Sequence, residues 1–166
     1  VAGQIKSTFR DAEAHVIRVA LTGGPCAGKS SALPVLMEAA TKDGFDVYVA
    51  PEVATLLLNS GCGGMFPPEN NPRHTLFRYE FQTSILKMQL MMERCMIKIA
   101  ARTGRPSIIV FDRGLMDCKA YLSDEMWASC MADAEREQDK SLHPDTINEE
   151  YILGRYDAAI HLVTAA

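Results

Sequence analysis

Most of the marks that would send a chain out of the cell, into a membrane or onto nucleic acid are missing from this one. The five cysteines, Cys26, Cys62, Cys95, Cys118 and Cys130, contain no C-x-x-C pair and are odd in number. They read as reduced thiols, not as a disulfide frame. The four histidines, His15, His74, His143 and His161, are as dispersed, which leaves no zinc pattern. Lys and Arg number 17 against 21 Asp and Glu, a net charge of −4, and no basic run exceeds two residues. That balance argues against duplex nucleic acid or an anionic bilayer as the main partner, though a local basic site stays open. A secretory leader pattern, an apolar span of membrane length and an internal repeat are all lacking. These absences lead us to expect a cytoplasmic protein without a transmembrane segment. The first residue is Val1 rather than methionine, which reads as a trimmed or processed product.

What is present is ordinary in bulk and specific in detail. The 166 residues, 48% hydrophobic and 23% charged, suffice for one domain with a buried core. We expect a polar extension over 1–15 and a single domain over 16–166. The apolar run Val16–Leu21 predicts a buried strand, and Lys29–Lys42 a helix with Leu33, Leu36, Met37 and Ala40 on one face, kinked at Pro34. Asp46–Ala50 predicts a second strand and Glu52–Ser60 a short helix; 61–71 is a loop by composition. A long helix is expected from Asn71-Pro72 to Arg102, with Phe81, Ile85, Met88, Met92, Cys95 and Ile99 as its apolar stripe. Ser107–Phe111 and Ala158–Val163 complete four strands, with helical stretches at 115–122, 124–138 and 148–154 and a loop between the last two. Strands alternating with helices predict an α/β fold with a mainly parallel sheet.

Between the first strand and first helix stands "GGPCAGKS", from Gly23 to Ser30. Gly23-x-x-x-x-Gly28-Lys29-Ser30 has the spacing of a phosphate-binding Walker A loop, in the strand-to-helix setting that the pattern needs. Glycines let backbone N–H groups turn inward around phosphate oxygens, and the helix N-terminus adds its dipole. We expect Gly23, Gly24, Pro25, Cys26, Ala27, Gly28, Lys29, Ser30 and Ser31 to bind nucleotide phosphates. Lys29 would reach the β- and γ-phosphates, and the Ser30 hydroxyl would ligate Mg²⁺. A dinucleotide fingerprint fails, because its middle glycine would fall on Pro25. Cys26 reads as a small loop residue.

Three further signals surround this one. Asp112-Arg113 ends an apolar strand, where the carboxylate can hold Mg²⁺ and the arginine can clamp phosphate. The alternative is a strand-terminal Asp capping the next helix. Glu52 follows the second strand and can serve as general base toward an acceptor hydroxyl, or as a structural group capping the next helix. Gln82, beside Phe81, can read the edge of a base, or can be a plain surface glutamine.

"LTGGPCAGKSSAL", "VYVAPEVATLLLNSG", "YEFQTSILKMQLMMER", "VFDRGLMDCKAY" and "YDAAIHLVTAA" together resemble the AAA-type P-loop domain shared by the ribosylnicotinamide-kinase half of NadR and the TRPL translocation-defect proteins. The likeness spans roughly 16–166 and is closer to the second, eukaryotic branch. That branch implies GTP and phosphoinositide binding, with a CYTH-like domain downstream. Glu52, Phe81-Gln82 and Asp112-Arg113 also resemble deoxynucleoside kinases, whose corresponding residues are base, nucleobase reader and phosphate clamp. Gly114 stands where those kinases carry Ser. The resemblance implies a nucleoside-kinase-type three-layer P-loop fold, with the Asp112 strand beside the Walker A strand. An arginine-bearing lid and a fifth strand would follow in such a fold, so the chain reads as C-terminally truncated. Two functions are expected in order: Mg²⁺-dependent transfer of phosphate from ATP or GTP to a nucleoside-like acceptor, or GTP-binding regulation of membrane trafficking. An AAA-type remodeller is disfavoured, because no arginine finger or sensor segment is recognisable.

Overall fold

A computed structural model describes residues 15–140 and 145–163. Of the extension expected over 1–15 only His15 lies among them, and 141–144 of the loop before the last short helix lie outside. Strands and helices alternate: β1 (Val16–Gly23), α1 (Lys29–Lys42), β2 (Asp46–Ala50), α2 (Val53–Asn59), α3 (His74–Ala100), β3 (Ser107–Asp112), α4 (Asp124–Arg136), α5 (Glu149–Leu153) and β4 (Ala158–Leu162). Two 3₁₀ segments, Cys62–Met65 and Leu115–Tyr121, interrupt the connections. The described residues group into two compact units. One holds 15–50, 92–112 and 156–163; the other holds 51–91, 113–140 and 145–155.

The first unit carries one sheet in the order β2-β3-β1-β4, with every pairing parallel. Val16 stands opposite Ser107 and Leu21 opposite Asp112, while on the other side Gly23 stands opposite Leu162. A parallel register gathers all four carboxyl ends at one edge, where open α/β sheets take their ligands. Ala50, Ala100, Ile109 and Phe111 form one fully buried cluster, and Val16, Tyr48, Met92, Met96, Ile97 and Tyr156 pack against it. The Phe111 and Tyr156 rings meet edge to face at 5.7 Å. Tyr156 donates its hydroxyl to Glu93 at 2.7 Å, which lets a carboxylate sit in the interior. On α1 the expected face of Leu33, Leu36, Met37 and Ala40 is half-buried, and the helix continues through Pro34.

In the second unit, Leu86, Leu115, Trp127, Cys130 and Ile152 are buried to 2% exposure or less. Ser123 accepts from the Met126 N–H to cap α4, and Asn148 accepts from the Tyr151 N–H to cap α5. Tyr79 donates to Asp133 at 2.7 Å and Lys87 pairs with Glu137 at 2.7 Å, so α3 is tied to α4 by polar contacts as well. Glu149 gathers Lys119 at 2.6 Å and the Trp127 indole N–H at 2.7 Å.

Four expectations shift. β1 runs through Thr22 and Gly23, because β4 pairs with both. α3 starts at His74, since the Asn71 side chain accepts from the Arg73 N–H at 2.9 Å and holds a turn there instead. The segment from Leu115 is a 3₁₀ helix. The stripe of α3 is also displaced: Met88 and Ile99 are 42% and 61% exposed and Cys95 is exposed, while Thr83, Leu86, Gln89, Leu90 and Glu93 are buried. Ile85 of the expected stripe is buried and Phe81 and Met92 are half-buried, but three of those five buried residues are polar, so a count of apolar side chains finds only part of the buried face.

β4 is fixed to β1 by Arg18 and Asp157. The Arg18 backbone N–H and Nε donate to Oδ2 at 2.7 and 3.0 Å, and Nη2 donates to Oδ1 at 3.0 Å. The Arg18 bonds hold the Asp157 carboxyl below its ordinary value, against the opposing effect of burial. A depressed carboxyl stabilises the fold above its unfolded value near 4 and loses that contribution as pH falls through its folded value. We predict that Asp157→Ala costs about 1 kcal/mol at neutral pH, as a partly exposed pair should. Urea unfolding at a series of pH values should show the difference shrinking below pH ~4, and a difference that does not change with pH would exclude this account.

Candidate functional site

The phosphate loop joins β1 to α1 within the first unit. Gly23 ends the strand with φ 142°, and a Cβ built on it would lie 2.3 Å from the Leu162 carbonyl oxygen. No side chain fits there. Beyond it Cys26 and Gly28 take left-handed backbone, φ 59° and 88°, so successive N–H groups change direction as in an anion-binding nest. Gly28 caps α1 without a side-chain acceptor, and the first turn holds no acidic residue. Neither the cap nor the first turn therefore supplies a negative charge to the positive end of the helix dipole. Lys29 folds back over the loop, its ammonium donating to the carbonyls of Gly23 at 2.8 Å and Gly24 at 2.9 Å. Gly24, Pro25, Cys26, Ser30 and Ser31 are exposed, and Ala27 and Lys29 are half-buried.

Asp112 ends β3 directly beside this loop: it stands opposite Leu21, two residues before Gly23, and its Oδ1 is buried. Its carboxylate and the Ser30 hydroxyl are hard oxygen donors of the kind that Mg²⁺ takes. Among the described residues no group of three or more His, Cys, Asp or Glu gathers to hold an ion. A Mg²⁺ at this edge would complete its shell from phosphate and water, its usual habit in nucleotide sites.

The other three predicted residues meet in the second unit. Glu52, Gln82 and Arg113 line one cavity of about 250 Å³, with Phe66, Phe81 and Ile85 among its apolar walls. Arg113 Nε is hydrogen-bonded to Glu52 Oε1, and Thr55 donates to Glu52 Oε2 at 2.9 Å. Burial is the largest single influence on Arg113 and works against its charge, but the Glu52 hydrogen bond together with the charges of Glu52, Tyr121 and Asp117 raises the guanidinium above its ordinary value. Glu52 is the N-cap residue of α2, yet its side chain makes no cap hydrogen bond. Arg113 itself has φ 78°, an uncommon backbone for a residue with a Cβ. Phe66 meets Phe77 and Phe81 edge to face, at 4.6 and 5.0 Å.

Among the residues of this cavity that sequence reasoning missed are Phe66, Gln89, Asp117 and Tyr121. Gln89 had a signal. It lies seven residues after Gln82, two helical turns along the same face. Phe66 had none, because glycines and prolines around it read as plain loop.

A glycine loop between a parallel strand and a helix N-terminus, with a strand-end aspartate alongside, defines a P-loop nucleotide-binding domain. In agreement, a family model described as an AAA domain matches residues 18–166, and the chain belongs to that family. P-loop domains of this type generally bind nucleotide together with Mg²⁺. A search of the curated proteins finds no match. Among the described residues, no helix is long and apolar enough to cross a membrane.

Two outcomes are expected. Gly23→Ala should cost about 1–3 kcal/mol, the scale of a strained backbone position. Gly24→Ala, with nothing within 4 Å of its Cβ and ordinary φ, should stay within about 0.5 kcal/mol. Equal losses in denaturant unfolding would contradict the close approach. Lys29→Ala should weaken the binding of labelled ATP and GTP by roughly tenfold or more, the worth of a charged hydrogen bond. Unchanged affinity would remove Lys29 from the phosphate site.

Proposed function

We propose that this domain is a kinase-like phosphotransferase of the nucleoside-kinase type, moving a phosphoryl group from a purine triphosphate to a small nucleoside-like acceptor. The observation that carries this reading is the cavity in which Glu52, Arg113 and Gln82 converge beneath aromatic walls. A planar base would rest against Phe66 and Phe81, and the Gln82 amide would offer it a donor and an acceptor. Glu52 and Arg113 would receive the acceptor hydroxyl. The likeness to the ribosylnicotinamide-kinase half of NadR supports the same reading, since that half acts on a nucleoside. The closer likeness to the translocation-defect branch supports the second reading below.

The loop residues Gly23 to Ser31 would hold the triphosphate through backbone N–H groups. Lys29 would exchange its two carbonyl partners for β- and γ-phosphate oxygens, and Ser30 and Asp112 would hold Mg²⁺. The metal, when bound, neutralises charge on the phosphates. The acceptor oxygen forms a bond to the γ-phosphorus, the bond from that phosphorus to the bridging oxygen breaks, and the diphosphate leaves. The acceptor's proton passes to Glu52. Arg113 offsets negative charge as it develops, the larger part of catalysis in phosphoryl transfer.

One observation favours a second reading, a GTP-binding regulator with little turnover, linked to phosphoinositide and membrane trafficking. Both carboxylate oxygens of Glu52 already accept hydrogen bonds, as a structural group would. The two readings separate at Glu52→Gln. As a base, Glu52 is worth about 10²–10⁴ in turnover, so the variant should lose that much while nucleotide affinity barely changes. The assay supplies Mg²⁺ with ATP or GTP and a panel of nucleosides that includes nicotinamide riboside. If neither wild type nor variant yields a phosphorylated product, the regulator stands.

A further inference from the structure

Two side chains grip one peptide unit in the second unit of the chain. The Gln89 amide donates from Nε2 to the Arg113 carbonyl oxygen at 2.7 Å. Asp117 Oδ2 accepts from the Gly114 N–H at 2.8 Å. That C=O and that N–H belong to the same peptide plane, so its orientation is fixed from both ends. The two grips come from different elements, the middle of α3 and the 3₁₀ segment Leu115–Tyr121. Gln89 is 4% exposed, deep for an amide unless it has work to do with its hydrogen bonds.

What the grip holds is unusual. Arg113 has φ 78°, whereas Gly114 beside it has φ −84° and ψ 162°, a conformation open to any residue. The chain therefore puts the left-handed backbone on the arginine and leaves the permissive glycine in ordinary extended geometry. A left-handed non-glycine residue is strained and persists only where its surroundings impose it. The backbone conformation of Arg113 sets the direction in which its side chain leaves the chain toward Glu52.

We propose that Gln89 and Asp117 are positioning residues that clamp the Arg113–Gly114 peptide and so aim the Arg113 guanidinium at Glu52. The clamp sets the charged end of the acceptor cavity before any acceptor arrives, and this role rests on the kinase-type reading above. It also gives the buried Gln89 amide on the long helix a hydrogen-bonding role.

The test needs neither nucleotide nor acceptor. In the ¹⁵N-labelled chain, the Arg113 Nε–Hε group bonded to Glu52 should give a sharp, downfield resonance, identified by its loss in Arg113→Lys. Gln89→Met, close in size but unable to donate, should abolish or broaden it. It should also speed exchange of the Gly114 amide roughly three- to tenfold, the worth of one hydrogen bond. Asp117→Ala should do the same from the other end, while Asp117→Asn, which keeps a carbonyl acceptor, should restore the resonance. Asp117→Ala also covers the case in which the buried Gln89 variant does not fold. A folded variant with lowered Tm but an unchanged Arg113 resonance would overturn the proposal and leave the two side chains as packing. If the resonance responds as expected while no nucleoside is phosphorylated, the clamp stands and the kinase reading falls. If the wild type does phosphorylate a nucleoside, Gln89→Met should lower kcat/KM for it without changing nucleotide affinity.

Discussion

Where β1 ends, its backbone comes so close to β4 that no atom can intervene. A Cβ on Gly23 would stand 2.3 Å from the Leu162 carbonyl oxygen. That contact sets the last paired residue of β1, and so the point from which the phosphate loop departs. The loop must then turn from strand to helix within five residues, Gly24 to Gly28, and does so through two left-handed positions, Cys26 and Gly28. The same residues that allow the turn leave the start of α1 without a side-chain cap. Anion binding is thus a by-product of how a strand, a tight turn and a helix must be joined.

The sheet's order gives this loop its company. β1 lies between β3 and β4, and the chain's excursions to β2 and β3 lie on one side of it with β4 on the other. That is a topological switch point, the place where open parallel sheets have a crevice at their carboxyl edge. Asp112 reaches this edge because β3 pairs with β1 in a register that sets it opposite Leu21. Arg18 and Asp157 secure the other flank, binding β4 to β1 through backbone and side chain together.

In the second unit the organising feature is a buried charge pair. Arg113 and Glu52 are mostly shielded, with side chains 17% and 24% exposed. Two charges leaving water cost more than their attraction returns unless the geometry is held well. Thr55 on Glu52, and Gln89 and Asp117 around the Arg113 peptide, supply that hold. A pair maintained in this way in a largely apolar cavity is suited to polar ligand groups, which can replace part of the bonding when they enter.

The sequence by itself determined the parallel α/β class, four strands to within a residue or two, and the phosphate loop. Those features are local: a strand is an apolar run, and Gly28-Lys29-Ser30 acts through its own backbone and the helix it starts. It also marked Glu52, Gln82 and Arg113, and tertiary structure brought them to one cavity. It found only part of the buried face of α3, Ile85 with Phe81 and Met92 beside it, because Thr83, Gln89 and Glu93 are buried there as polar groups. Two of their partners, Tyr156 for Glu93 and Cys130 for Thr83, lie 63 and 47 residues away. The left-handed Arg113 was equally invisible, since the Arg113–Gly114 peptide is bonded by Gln89, 24 residues before it, and by Asp117 at its N–H. A residue's own type predicts its backbone and burial only while its neighbours in sequence are its neighbours in space. Where hydrogen bonds join distant segments, only the folded chain decides.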